Sequence, residues 1–225
     1  MKKTVAIILA RGGSKGIPKK NIKNFCGKPL LVWTIEQCLK SKFINKVIVS
    51  SDDKKILNIA NQNNAFALKR PKNISEDNST SESGWLHVLN YIEKEEDYDY
   101  VITPQVTSPL RKKNDFDKAI KYFEKEQLDS LFSCNIVNDF FLWEKTNVFW
   151  SINYDYKNRK KRQDIKDQYL ENGSFYIFKP EVLKKERNRL GGKIGVYEME
   201  FWQSFEIDTI QDFKMCEVLM KGYLI

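Results

Sequence analysis

The stretch TVAIILARGGSKGIPKKN, residues 4–21, decides the fold of this chain. It begins with the apolar run Val5 to Leu9, which is short and rich in β-branched residues, as buried strands of parallel sheets are. Gly12 and Gly13 follow, and glycine permits a sharp turn and a close approach of the backbone to a ligand. The same turn carries a cluster of cationic side chains, namely Arg11, Lys15, Lys19 and Lys20. A strand that feeds a flexible, positively charged turn predicts a polyphosphate-binding loop.

Two common phosphate-binding motifs are absent from this stretch. The Walker A spacing fails because Gly12 and Gly16 have the wrong separation and Ile17 stands where a lysine is required. The dinucleotide pattern G-x-G-x-x-G is missing as well. A glycine pair after a strand is a weak signal by itself, so the assignment depends on blocks further along the chain.

The sequence has 225 residues, of which 41% are hydrophobic. This is enough for one substantial core and too little for two full-sized domains, so we expect a single domain over residues 1–225. No apolar run approaches the roughly 18 residues of a membrane helix, and the start MKK leads into the first strand without a cleavage site. We therefore expect a cytoplasmic protein with no membrane partner.

The formal net charge is +8, which a nucleic-acid-binding protein could also carry. The lysines are interleaved with acids, as in KEEDYDY, residues 94–100, which is typical of a solvated surface. No nucleic-acid-binding motif accompanies them, so we expect no nucleic-acid partner, and a basic patch would equally suit a triphosphate and an acidic sugar. The four cysteines have no metal-binding or C-x-x-C spacing, which predicts reduced, mostly buried thiols: Cys26, Cys38, Cys134 and Cys216.

Strand-like and helix-like segments alternate along most of the chain, which predicts right-handed crossovers and a mostly parallel sheet. The predicted strands cover residues 5–9, 46–50, 98–104, 130–134, 173–178 and 193–199. The predicted helices begin at Pro29, follow Asp53 and the cap candidates Ser79 to Ser81, and cover residues 115–125 and 209–220.

Two polar positions need separate interpretation. Asp52 follows a predicted strand at the edge where open α/β sheets bind ligands, and it also suits a helix N-cap, which is the simpler interpretation. His87 lies inside a predicted helix without a partner for catalysis nearby, so we assign it no role.

Residues 138–170 break the alternation. The segment is aromatic and polar, and it shows neither a helical period nor a long strand pattern. Aromatic surface at this density is typical of a partner interface, which predicts an inserted dimerisation segment and a homodimer. A β-hairpin that packs on its own domain is the alternative.

Four further blocks follow the first loop: QVTSPLR (105–111), KRQD (161–164), ENGSFYIF (171–178) and SFEIDTIQDF (204–213). Together with LARGGSKGIPKKN (9–21), they resemble the acylneuraminate cytidylyltransferases in the right order along nearly the whole chain. The resemblance implies a Rossmann-like three-layer α/β nucleotidyltransferase fold. It also implies transfer of CMP from CTP to the anomeric hydroxyl of a sialic-acid-like nine-carbon keto-sugar acid, with release of pyrophosphate.

The resemblance carries roles onto the matching positions of this sequence. Arg11 and Lys20 would hold the triphosphate and, with Asp208, carry catalysis. The remaining nucleotide-binding positions would be Leu9, Ala10, Gly12, Gly13 and Ser14 in the loop and Asn21, Arg70 and Ser81 at the cytidine. Arg70 has a simpler alternative as a surface residue before Pro71.

Other positions would receive the sugar. Gln105, Thr107 and Ser108 offer amide and hydroxyl groups, which suit a substrate rich in hydroxyls and bearing an N-acyl group. Asn172 and Tyr176 would shape the wall and supply a ring face. Arg162 would pair with the sugar carboxylate, because a guanidinium matches a carboxylate bidentately, and in such enzymes it commonly comes from the neighbouring subunit.

The metal motif departs from the family pattern D-I-D, because this chain has Glu206, Ile207 and Asp208. The resemblance implies Mg²⁺ as cofactor, with Glu206 and Asp208 on one face of a strand as its ligands. In the alternative, Glu206 contacts the ion through water and Asp208 is the only direct protein ligand. Asp212 is interpreted as an acid at the start of a helix, and Val106 replaces a proline of the pattern.

The acceptor sugar is not determined by these motifs, which concern mainly CTP. A legionaminic, pseudaminic or Kdo-like acid is therefore an alternative to an N-acylneuraminate. A non-catalytic nucleotide-sugar-binding protein is a further alternative, and the presence of Arg11, Lys20, Gln105 and Asp208 speaks against it.

Overall fold

The structure, a computed structural model, describes residues 2–225, and at Arg162 the backbone alone. Its strands are β1 (Thr4–Leu9), β2 (Asn24–Phe25), β3 (Lys28–Pro29), β4 (Ile44–Ser51), β5 (Phe66–Lys69), β6 (Tyr100–Pro104), β7 (Ser130–Ile136), β8 (Trp143–Lys145), β9 (Phe149–Ser151), β10 (Tyr169–Phe178) and β11 (Ile194–Glu198). Its helices are α1 (Leu30–Leu39), α2 (Lys54–Gln62), α3 (Ser81–Ile92), α4 (Asp115–Lys125), α5 (Pro180–Glu186) and α6 (Ile210–Tyr223).

A seven-stranded sheet forms the centre, in the order β11-β7-β10-β6-β1-β4-β5. All neighbouring strands are parallel except at β10, which runs antiparallel to both β6 and β7. The predicted mostly parallel α/β sheet is therefore confirmed. Within the described part of the chain, no helix combines the length and apolar character that a membrane crossing requires.

Strand β1 lies inside the sheet and is covered on both faces. Ala6 and Ile8 belong to a cluster that includes residues of α1, α4 and α6, whereas Val5 and Ile7 pack with residues of α3 on the other face. Successive side chains of a strand point to opposite faces, so this uninterrupted apolar run fills both cores at once. The result is the predicted arrangement of helices on both sides of one sheet.

Two helix starts differ from the sequence-based assignment. Pro29 is not the first residue of α1. It is the last residue of β3 and occupies the N-cap position just before the helix. Asp52 is not the cap of α2, because Asp53 takes that position and its side chain accepts the N–H groups of Lys55 and Ile56. Aspartate is a favoured N-cap residue, so the sequence allows either Asp52 or Asp53 in this position. The conformation of the turn decides which of them caps the helix.

The segment 138–170 contains the short hairpin β8–β9, which corresponds to the hairpin alternative. The hairpin leaves large rings in contact with solvent, since Phe149 is 63% exposed and Trp150 is 59% exposed. Phe140 reaches the main domain, where its ring lies 5.5 Å from that of Phe201.

The buried Arg111 fixes the loop that follows β6. Its Nε donates to Ser174 Oγ at 3.0 Å and its Nη1 to Gln37 Oε1 at 2.7 Å, while Nη2 donates to the carbonyls of Ser174 and Gln105. Burial lowers the pKa of the Arg111 guanidinium to about 10, and the nearby Cys38 and Asp115 oppose this effect. One side chain thus joins the loop, β10 and α1.

We expect Arg111→Met to lower the free energy of unfolding by about 2 kcal/mol, because buried acceptors lose their donor while the cost of burying a charge is relieved. Urea denaturation measures the change. Lys113→Met, at an exposed neighbouring position, is the matched control and should be nearly neutral. Equal stability of the two variants would show that Arg111 does not brace the loop.

Candidate active site

A cleft of roughly 420 Å³ opens at the carboxyl ends of β1 and β6. Parallel strands end at the same edge of a sheet, so the loops that follow them meet there. The cleft is lined by Leu9, Arg11, Ser14, Lys15, Gly16, Lys20, Asn21, Ser81, Trp85, Pro104, Gln105, Val106, Thr107 and Asp208.

The glycine-rich loop after β1 is held from behind by two aspartates. The Gly12 N–H donates to Asp52 Oδ1 at 3.0 Å, and a Cβ at Gly12 would lie 2.9 Å from the Cβ of Asp53. The Ser14 N–H donates to the Gly12 carbonyl at 3.2 Å. Asp52 therefore anchors the loop, and two of the expected backbone donors, at Gly12 and Ser14, already have acceptors within the protein.

Asp77 bridges the cations of this loop. Its two carboxylate oxygens accept Arg11 Nη1 and Lys15 Nζ, each at 2.7 Å. The hydrogen bond from Lys15 is the main cause that lowers the pKa of Asp77. The carboxylate thus lies where an anionic ligand of Arg11 and Lys15 would have to compete with it.

Lys20 connects the loop to the metal motif. Its Nζ donates to the Ile207 carbonyl at 2.6 Å and to Asp208 Oδ1 at 3.0 Å. A Cβ at Gly16 would lie 2.4 Å from the Asp208 carbonyl oxygen, so the loop approaches this segment as closely as glycine allows. The Asp208 side chain remains 71% exposed at the cleft.

The metal motif does not form the predicted strand. Residues 205–209 are an irregular connection between a 3₁₀ turn at Phe201–Ser204 and α6. Ile207 is buried and its N–H donates to the Thr107 carbonyl at 2.8 Å, so tertiary contacts rather than a sheet hold the segment. Asp212 accepts the backbone N–H groups of Asp208 and Thr209, which confirms it as an acid at the start of a helix.

On the loop after β6, Gln105 and Thr107 present an amide and a hydroxyl to the cleft. Thr107 Oγ1 donates to Glu206 Oε1 at 2.6 Å. Ser108 is buried behind them, and its Oγ has no hydrogen-bond partner among the described residues.

Asn172 and Tyr176 lie behind the cleft and not on its lining. Asn172 donates to Asn135 Oδ1 at 2.8 Å and accepts from Ser133 Oγ at 2.6 Å. Tyr176 is 3% exposed, because its position on β10 turns the ring into the core beside Trp85. Burial raises the pKa of the Tyr176 hydroxyl, which donates to Glu171. This placement differs from the expected ring face for a sugar.

A second hollow of roughly 300 Å³ adjoins the cleft and shares Leu9, Arg11 and Ser81 with it. Arg70 lines this hollow and is 5% exposed, so the surface alternative for Arg70 is wrong. Burial lowers the pKa of Arg70, and the nearby Asp52 opposes this effect. Arg70 and Ser81, both predicted to bind the cytidine, therefore line the same hollow.

The other residues predicted to bind the nucleotide differ in their surroundings. Asn21 Nδ2 donates to the Arg11 carbonyl at 2.9 Å, so Asn21 supports the loop while it lines the cleft. Ala10 is 1% exposed, and Gly13 is exposed with no atom near the place of a Cβ. Arg162 was predicted to bind the sugar carboxylate, and its side chain lies outside the described part of the structure.

Sequence reasoning missed Trp85, which was assigned to a helix core, and Asp77, which lies in the polar run KNISEDNSTSES. Trp85 lines the cleft although it is only 3% exposed. One feature of the sequence could have identified Trp85 as a site residue. It lies one turn after the predicted helix cap, and that cap is at the same edge of the sheet as the phosphate loop.

Comparisons with known proteins identify the family of this chain. The sequence profile of the family described as cytidylyltransferase matches residues 5–224. A pseudaminic acid cytidylyltransferase from Campylobacter jejuni is 32% identical over 226 residues, which cover 97% of each chain. N-acylneuraminate cytidylyltransferase A from Danio rerio is 34% identical over 225 residues, which cover 97% of this chain and 51% of the relative. This chain therefore spans nearly the whole of one relative and about half of the other.

Among solved structures, a CMP:2-keto-3-deoxy-manno-octonic acid synthetase complexed with CTP superposes with a TM-score of 0.74. The alignment covers 99% of this chain and 100% of that one at 17% identity. The likeness shows that the two share a nucleotidyltransferase fold, as predicted from the sequence.

We expect Asp77→Asn to bind inorganic tripolyphosphate about threefold to fivefold more tightly, because the neutral amide no longer competes for Arg11 and Lys15. Titration calorimetry at low salt measures the affinity, and high salt should reduce the difference. Glu76→Gln, the same charge change one residue earlier, is the matched control. Weaker binding by Asp77→Asn than by the control would mean that Asp77 orders the loop for the anion instead of opposing it.

Proposed function

The chain belongs to the cytidylyltransferase family, and from this premise we propose that it transfers CMP from CTP to the anomeric hydroxyl of a nine-carbon keto-sugar acid. The observation that carries the proposal is the cleft itself. Cations of the phosphate loop, the polar side chains of Gln105 and Thr107, and the Asp208 carboxylate all line this one cleft. A triphosphate and a polyhydroxylated acceptor would meet in such a site.

The acceptor is proposed as an N-acylneuraminate or a close relative of it. The relatives that act on pseudaminic acid and on N-acylneuraminate are about equally similar to this chain, at 32% and 34% identity. Pseudaminic acid is therefore the second candidate acceptor, favoured by the full-length match to the Campylobacter jejuni enzyme.

In the proposed reaction, the anomeric hydroxyl of the sugar loses its proton to water, and its oxygen attacks the α-phosphorus of CTP. The bond from this phosphorus to the bridging oxygen breaks, and pyrophosphate leaves with the electron pair. Arg11, Lys15 and Lys20 would neutralise the charge that develops on the phosphate oxygens. Lys20 is already held by the Ile207 carbonyl at 2.6 Å, so little reorganisation of its ammonium group is needed.

Mg²⁺ is proposed as the cofactor, with Asp208 as its protein ligand. The donor set fits, because Mg²⁺ prefers carboxylate oxygens and usually takes one or two of them together with substrate phosphates. The Asp208 carboxylate is exposed at the cleft beside the phosphate loop. Residues 2–225 contain no cluster of three or more metal-binding side chains that would form a site without substrate. When bound, the ion would supply charge neutralisation at the phosphates.

The test of the function is pyrophosphate release from CTP with a panel of keto-sugar acids. We expect release with N-acylneuraminate or pseudaminate, and turnover lowered by about one to two orders of magnitude in Arg11→Ala, because charge stabilisation of the transition state is lost. Lys23→Ala removes a nearby cation outside the lining and should keep normal turnover. No release with any acceptor, or normal turnover in a folded Arg11→Ala protein, would contradict the proposal.

A homodimer through residues 138–170 is also proposed. The hairpin leaves Phe149 and Trp150 more than half exposed, and the rings of Phe140 and Trp143 are exposed on the same segment. A two-fold symmetric contact is the commonest way to cover such a surface. The proposed dimer would bring Arg162 to the sugar carboxylate in the partner's site.

The double variant Phe149→Ser, Trp150→Ser should be monomeric by analytical ultracentrifugation, because the apolar surface that drives association is removed. Val218→Ser, at a 68% exposed position of α6, is the control and should leave the assembly unchanged. A mixture of Arg11→Ala and Arg162→Ala chains should regain part of the wild-type activity, since one site of each heterodimer would carry neither defect. A dead mixture despite subunit exchange would place Arg162 in its own subunit's site.

A further inference from the structure

The two carboxylates of the metal motif have different partners. Glu206 Oε1 accepts the Thr107 hydroxyl at 2.6 Å, on the loop after β6. Asp208 Oδ1 accepts Lys20 Nζ at 3.0 Å, on the segment after the phosphate loop. The intervening Ile207 is buried and bonded through its N–H to the Thr107 carbonyl. The two acids, on either side of Ile207, therefore contact two different segments of the cleft wall.

The contact with Glu206 determines how the Thr107 hydroxyl can be used. A threonine hydroxyl has one hydrogen to donate and two lone pairs that accept. The alternative acceptor for this hydrogen is Gln105 Oε1, at 3.5 Å. A bond of 2.6 Å to a carboxylate oxygen is much stronger than one of 3.5 Å to an amide oxygen. The Thr107 hydrogen is therefore committed to Glu206, and only lone pairs remain for a ligand.

The surroundings hold this arrangement in place. Arg111 donates to the Gln105 carbonyl, which fixes the start of the loop. Gly173 has a φ of 65°, and a Cβ there would lie 3.4 Å from Gln105 Nε2 and 3.8 Å from Glu206 Oε2. These are ordinary contact distances, so the positive φ rather than lack of space favours glycine at this position.

We propose that Glu206 is a positioning residue for the acceptor sugar and not a ligand of the metal. By accepting the Thr107 hydrogen, it makes Thr107 an obligate acceptor that selects a sugar O–H or N–H donor at this point of the cleft. A sugar that lacks this donor would leave the Thr107 lone pairs unpaired in the closed site, which is unfavourable. The inference rests on the proposed function and names a determinant of its acceptor specificity.

The decisive experiment is a double-mutant cycle with Glu206→Gln and Thr107→Val. A glutamine N–H can donate to Thr107 Oγ1, which occupies one lone pair and frees the hydroxyl hydrogen, whereas valine removes the hydroxyl altogether. We expect Glu206→Gln to raise the KM for the sugar about tenfold while the KM for CTP stays within about twofold, the size expected for one charge-assisted hydrogen bond. In the Thr107→Val background, Glu206→Gln should then have no further effect.

Metal binding provides the second readout. The affinity for Mn²⁺ in the presence of CTP, measured by electron paramagnetic resonance, should be unchanged in Glu206→Gln and weakened in the control Asp208→Asn. Weaker Mn²⁺ binding in Glu206→Gln would overturn the proposal, and so would a full effect of Glu206→Gln on the sugar KM in the Thr107→Val background. A separate control distinguishes failure of this inference from failure of the proposed function. The sugar is titrated calorimetrically into wild-type protein that holds a non-hydrolysable CTP analogue. If wild-type protein does not bind the sugar, the proposed function itself is contradicted.

Discussion

The position of β1 between β6 and β4 is the constraint on which the rest of the structure depends. Val5 and Ile7 fill one core and Ala6 and Ile8 the other, so this strand can lie only in the middle of the sheet. Its parallel neighbours end at the same edge, and that edge therefore collects the phosphate loop, the Asp52–Asp53 turn and the loop after β6. The cleft follows from this topology.

The segment 206–208 links the two loops of the cleft. Its backbone bonds to Thr107 and to Lys20, and its acids extend these contacts through side chains. The cations of the phosphate loop are paired with exposed acids, Asp77 for Arg11 and Lys15 and Asp208 for Lys20. The pairs of Asp77 with Arg11 and Lys15 are exposed and therefore weak, so a triphosphate can replace Asp77 at small cost.

Much of the fold was predictable because the positions of apolar residues along the sequence match the side chains that are buried in the structure. Helix α4 has the predicted bounds, and β1 and β7 extend the predicted strands by one or two residues. The phosphate loop, Gln105 and Thr107 could be brought together from the sequence, since each follows a strand end. Asp208 was assigned through the family resemblance, because its segment is not part of a strand.

Side-chain direction was not predictable. The sequence could not show that Tyr176 faces the core, that Arg70 is buried, or that Asp53 and not Asp52 caps α2. Each depends on register within a turn or strand, where a shift of one residue reverses the outcome. In the sequence, Arg111 was only the last residue of the QVTSPLR block. Its role in fixing the loop depends on hydrogen bonds to β10 and α1, which only the folded structure brings to it.

In the proposed reaction, one cleft binds both a triphosphate and a keto-sugar acid. A crystal structure with Mg²⁺, a non-hydrolysable CTP analogue and the preferred acid tests it most directly. The account predicts that phosphate oxygens replace Asp77 on Arg11 and Lys15, that the sugar contacts Gln105 and Thr107, and that its anomeric oxygen lies about 3 to 3.5 Å from the α-phosphorus. A triphosphate bound away from the loop after β1, with Asp77 still paired to Arg11 and Lys15, would contradict it.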